Sequence, residues 1–154
     1  MVTTTPTAGY SHTQHAPLCF ILYGSALLCL VIALQHVSYP AIYIAGAVCL
    51  LIAVLATAFH YLRVTDRGDR LAISFGPLPL FGTTVQYDQI DRVEVGRTLF
   101  LDGWGIHYSV RGGWVWNIWG RDCVVVHRRD GSVLRIGSDD TQTLAQFLQA
   151  QIRP

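Results

Sequence analysis

The chain has 154 residues, of which 51% are apolar and only 14% charged, with a formal net charge of +1. That balance excludes a disordered chain and leaves no basic field with which to hold nucleic acid. The charges are also one-sided: all eleven arginines and ten acidic residues lie between Arg63 and Arg153, lysine is absent, and residues 1–62 carry none.

Residues 1–17 read as a flexible N-terminal tail. Two charge-free apolar runs follow, at about 18–37 and 41–62, and as helices each would rise roughly 30 Å, the depth of a bilayer's hydrocarbon core. They predict a transmembrane helical hairpin over residues 18–62, with the lipid bilayer as its partner. The alternative is a pair of buried helices in a soluble bundle, but such helices normally carry a polar face and these do not. No cationic segment precedes the first run, which argues against a cleaved signal peptide. Ser38, Tyr39 and Pro40 join the runs, so the turn is tight, with Pro opening the second helix and Tyr39 at the headgroup level. Arg63, Arg67 and Arg70 stand just after the second run, where they would anchor it against anionic headgroups and place both termini in the cytoplasm. Small residues recur every fourth position, as Ser25, Cys29 and Ala33 and then as Ala41, Ala45, Cys49, Ala53 and Thr57. Such stripes let helix backbones approach closely, within the hairpin or, alternatively, between two copies in a homo-oligomer.

Beyond Leu62 the pattern changes to short alternating runs, predicting six or seven antiparallel strands in a meander that closes into a sandwich or barrel. The strands fall at about 60–66 and 70–75, around Val85 and Val93, at 106–110 and 114–119, and at 123–127 and 133–136. Arg67-Gly68-Asp69 and Arg129-Asp130-Gly131-Ser132 mark hairpin turns. Leu144, Phe147, Leu148 and Ile152 form one stripe of a terminal helix, with Ser138 as its N-cap and Asp139 and Asp140 at its positive end. The fold class expected over residues 63–154 is α+β, a β-barrel or sandwich capped by this helix.

Several motifs carry a family likeness: Phe75-Gly76-Pro77-Leu78, Tyr87-Asp88-Gln89-Ile90, Gly103-Trp104-Gly105-Ile106, Trp116-Asn117 before Gly120, Asp130-Gly131, and Ile136-Gly137-Ser138-Asp139-Asp140. Over roughly residues 63–150 the chain resembles the bacterial membrane-anchored pleckstrin-homology-like (PH-like) proteins. The resemblance implies a multi-pass inner-membrane protein with a cytoplasmic PH-like module. A headgroup site of the pleckstrin type would need several cations in the first strand loop, whereas Asp66-Arg67-Gly68-Asp69-Arg70 interleaves two acids with its two arginines.

Trp104, Trp114, Trp116 and Trp119 fall within sixteen residues. Trp116 and Ile118 are expected in the core; Trp104, Trp114 and Trp119 either pack the barrel rim or rest at the bilayer interface. His12 and His15 have metal-like spacing without a third ligand, no CxxC occurs among the four cysteines, and no nucleophile elbow, P-loop or HExxH motif is present. The expectation is therefore a protein without enzyme activity, metal or cofactor. Its PH-like module would serve protein interaction or scaffolding for a partner of unknown identity, through a sheet edge or the groove beside the terminal helix. The alternative is a lipid or small-molecule binder using the barrel mouth and the Trp-rich hairpin.

Overall fold

A computed structural model describes residues 9–35, 39–102 and 104–152, the side chains of Leu18, Tyr39, Ala41 and Leu101 excepted. Chain order begins with strand β1 (Ser11–His15), helices α1 (Leu18–Gln35) and α2 (Tyr39–Ala58), and strands β2 (Tyr61–Asp66), β3 (Arg70–Gly76) and β4 (Gly82–Gln86). It continues through β5 (Ile90–Arg97), β6 (Gly105–Tyr108), β7 (Trp114–Asn117), β8 (Asp122–Arg128) and β9 (Val133–Gly137) to helix α3 (Thr141–Gln151).

The strands form two open sheets, one of order β1-β2-β3-β4 and one of order β5-β8-β9-β7-β6. The barrel, one of the two closures expected, is thus not formed, since neither sheet closes on itself. Nor is the second sheet a meander: β9 inserts between β8 and β7, antiparallel to the first and parallel to the second. Alternation along each strand reveals which side is buried but not which neighbour it pairs with, so this insertion leaves no trace in the pattern.

The sheets enclose one core. Leu71, Ile73 and Phe75 of β3 face Val124 and Val126 of β8 and Leu134 and Ile136 of β9, and Leu144 and Leu148 of α3 close it. A column of rings runs through it: Phe59, just past α2, lies 4.7 Å from Phe75, which stacks on Trp116 of β7 at 5.8 Å. Both predicted hairpin turns form. Gly68 and Gly131 take φ of +90° and +83°, and the carboxylates of Asp66 and Asp130 accept from the amides of Gly68 and Ser132. Ser138 lies just outside α3, its hydroxyl accepting from the Asp140 amide at 3.0 Å, and the N-cap position falls to Asp140. Arg153 lies outside the described residues.

The first third departs most from expectation. Ser11–His15, read as tail, is a strand paired antiparallel to β2 along its whole length. The apolar run that began at Ala41 stops being helix at Ala58, and Tyr61 and Leu62 belong to β2, with Leu62 buried in the core. α1 has 18 residues, a rise of about 27 Å against roughly 30 Å of hydrocarbon. Among the described residues, no helix is long and apolar enough to cross a membrane. That finding overturns the transmembrane hairpin, the multi-pass inner-membrane location with both termini in the cytoplasm, and the integral-membrane function built on them.

Removing the central ring or crowding the second sheet tests this packing. Phe75 is 1% exposed, so Phe75→Ala should cost about 3–5 kcal/mol. A Cβ on Gly137 would run into the Asn117 side chain, so Gly137→Ala should cost roughly 1–3 kcal/mol. Urea unfolding followed by tryptophan fluorescence measures both, and wild-type stability in either variant would contradict the packing described.

Candidate functional site

The largest apolar surface is the outside of the helical hairpin. Thirteen large apolar residues of α1 and α2 are exposed, Phe20, Tyr43 and Leu50 to 70%, 77% and 67%. The small-residue stripe accounts for the inner side. Ser25, Cys29, Ala33, Ala45, Cys49 and Ala53 are half-buried, while Leu28, Leu30, Val48 and Leu50 beside them are exposed. The Cys49 thiol donates to the Ala26 carbonyl of the facing helix at 3.2 Å, and Thr57 donates to Ala53, which leaves Tyr23 to donate to Thr57 at 2.8 Å. Ser25 returns its hydroxyl to Leu22 of its own helix. The stripe thus lies between α1 and α2, and the bulky side chains point away. The side chains of Tyr39 and Ala41 lie outside the described residues.

The three arginines expected to collar the second helix do not gather there. Arg63, on β2, places its guanidinium 5.1 Å from the Tyr61 ring and donates to Thr13 at 3.3 Å. Arg67 and Arg70 sit at the far end of that six-residue strand, about 20 Å from the helices. Arg70 forms a fork with Asp69, at 2.9 and 2.7 Å.

A second exposed surface lies at the β6 edge of the five-stranded sheet. The indoles of Trp104 and Trp119 stack 5.2 Å apart and 4° from parallel, and Tyr108 meets Trp114 edge-on at 5.9 Å. Phe100 and Val110, close in sequence to these residues, are also exposed. Trp114 and Trp116 share a strand face as the pattern requires, but only Trp116 reaches the core; Ile118 is fully buried. The rim stands on Asp102, whose carboxylate is nearly inaccessible and accepts from Ser109 at 2.6 Å and from His107 at 3.2 Å. Burial alone would raise the Asp102 pKa, but the bonds from Ser109 and His107 outweigh it and hold the group below its ordinary value. The three residue types are those of a hydrolytic triad, yet both donors converge on the acid, and the Ser109 proton is committed to a carboxylate instead of an imidazole. The cluster fastens the turn at Phe100–Asp102 to the strand beside it. Sequence reasoning missed it because spacings of five and seven residues across a loop match no element's period.

Other chemistry-bearing groups are equally committed. Tyr87 occupies a short 3-10 turn and donates to Asp66 at 2.6 Å. Burial and that acceptor drive its pKa far above the ordinary phenol value. It lines an open cleft of about 450 Å³ with Asp69, Gln86, Asp88, Arg129 and Gln151. Burial pushes the Cys123 thiol up to about 11, and all four cysteines are free. His12 pairs with Asp139 at 2.5 Å, so the two histidines of the tail serve different neighbours, and among the described residues no three ligating groups converge to hold a metal.

The Asp102 cluster predicts a pH dependence. A folded pKa below the unfolded value of about 3.9 contributes stability at higher pH that is lost as pH falls through the folded value. Asp102→Asn should therefore lower stability by roughly 1–3 kcal/mol at pH 6, and the gap from wild type should narrow toward pH 3. Urea midpoints across that range measure it, and a gap that stays constant would contradict the assignment. No family model matches the chain, and no curated protein matches it, so the resemblance to PH-like proteins rests on the turn and strand motifs alone.

Proposed function

We propose that the protein acts by self-association rather than catalysis, two or more copies burying their helical hairpins against one another and displaying the sheets and aromatic rim outward. The observation that carries this reading is the outer surface of α1 and α2. Thirteen exposed large apolar side chains amount to on the order of 1,000 Å², beyond the roughly 300–600 Å² patch usual on a monomer and near the 800 Å² per partner of a stable interface. A helix that is apolar all round needs neighbours on more than one side, which a bundle of four or more helices supplies. The hairpin contains no ionised residue, so nothing in it selects a differently charged partner, and a second identical hairpin matches it best. The small residues are used inside each hairpin, leaving Leu, Ile and Val to interdigitate between copies. The absence of a catalytic role is supported by the committed state of Asp102, Ser109, Tyr87 and Cys123 described above.

Sedimentation equilibrium at micromolar concentration should give a dimer or higher oligomer for wild type. Leu28→Glu combined with Ile44→Glu, both on the exposed side, should shift the mass toward monomer with circular dichroism unchanged. Two results would overturn the reading: a monomeric wild type, or a wild type that associates only with lipid vesicles and is released by detergent as single copies.

A further inference from the structure

At the base of the hairpin a cleft of about 320 Å³ is lined by His15, Ala16, Pro17, Cys19, Phe20 and His60. Chain geometry brings these together: His15 ends β1 opposite Tyr61 of β2, and His60 is the residue before Tyr61. Among the described residues of the lining, the polar side chains are the two imidazoles and the Cys19 thiol, which donates to the Ala16 carbonyl. Both rings are held by aromatic neighbours: His15 meets Tyr61 edge-on at 5.7 Å, and His60 lies 6.3 Å from Phe20 and 6.2 Å, at a right angle, from Tyr23. Neither ring makes a hydrogen bond or ion pair with a described residue, whereas His12, His107 and His127 each face a carboxylate. Two imidazoles with no hydrogen bond to a described residue thus line a cleft whose other side chains are Ala16, Pro17, Cys19 and Phe20.

We propose that this cleft binds a medium-chain carboxylate, the acid group hydrogen-bonded by His15 and His60 and the chain lying along Phe20 and the exposed start of α1. A neutral imidazole donates through one ring nitrogen and a protonated one through both, so an acceptor-only anion suits the pair in either state. The amino end of α1 forms one wall and favours the same sign of charge. Octanoate is the probe for this class, its carboxylate matching the two imidazoles and its short chain the apolar side chains of the lining. Phe20 continues from the cleft to the exposed helix surface, giving the chain an apolar path. Phe20 both lines the cleft and belongs to the exposed hairpin surface, so the site requires pairing of the hairpins to begin beyond Phe20.

The test is titration of the full chain with octanoate, followed by calorimetry and by the ring resonances of carbon-13-labelled histidine. The signals of His15 and His60 should shift with saturation while those of His107 and His127 stay still. Octanol should bind about tenfold more weakly, the loss of one charge-assisted bond. A His15→Gln, His60→Gln double variant should bind octanoate no better than octanol. The proposal is overturned by equal affinity for the acid and the alcohol in wild type, by stationary His15 and His60 signals, or by no saturable binding. The wild-type resonances decide the matter even if the double variant fails to fold.

Discussion

The structure depends on one column of packed aromatic rings. Phe59 leaves the helical hairpin and packs against Phe75 and Phe81, and Phe75 in turn packs on Trp116 of the second sheet. Two short sheets of modest area cannot each bury a face alone, and a hairpin of two helices has no core of its own. The column joins all three. It also sets the position of β7, and so of the aromatic rim that β6 and β7 carry on the same hairpin.

The N-terminal strand adds a second tie. β1 pairs with β2, the Tyr10 ring stacks on Phe147 at 5.5 Å and its hydroxyl reaches Asp140, and His12 meets Asp139 beside it. The segment leading into α1 is thereby held to the amino end of α3, at the opposite end of the chain. This brings His15 next to the junction of α2 and β2 and creates the cleft at the hairpin's base. The cleft thus arises where elements distant in sequence meet, while the apolar outer surface belongs to two consecutive helices.

How much of this was legible varies from element to element. The alternation of Leu71, Ile73 and Phe75 marks a buried strand face because period-two apolarity has one ordinary cause, and those three are among the most buried residues. The stripe of Leu144, Phe147, Leu148 and Ile152 is legible for the same reason at the helical period. Asp-Gly and Arg-Gly-Asp turns are legible because only glycine enters the left-handed region without strain. Ser11–His15 was not, since Ser-His-Thr-Gln-His has no apolar alternation; it is a strand because β2 offers an open edge. The end of α2 was hidden because Phe59, Tyr61 and Leu62 are apolar in either conformation, and only the sheet assigns them.

The amino-acid order by itself determined the apolar character of the hairpin, the turns and the buried faces, since each follows from local polarity and backbone sterics within a few residues. Tertiary structure alone decided that the sheets stay open, that β9 separates β7 from β8, that Asp102 gathers Ser109 and His107, and that His15 and His60 share a cleft. Those outcomes turn on which surfaces meet across tens of residues. Many pairings offer nearly the same apolar burial, and the choice among them is made by the fit of side chains in the assembled core.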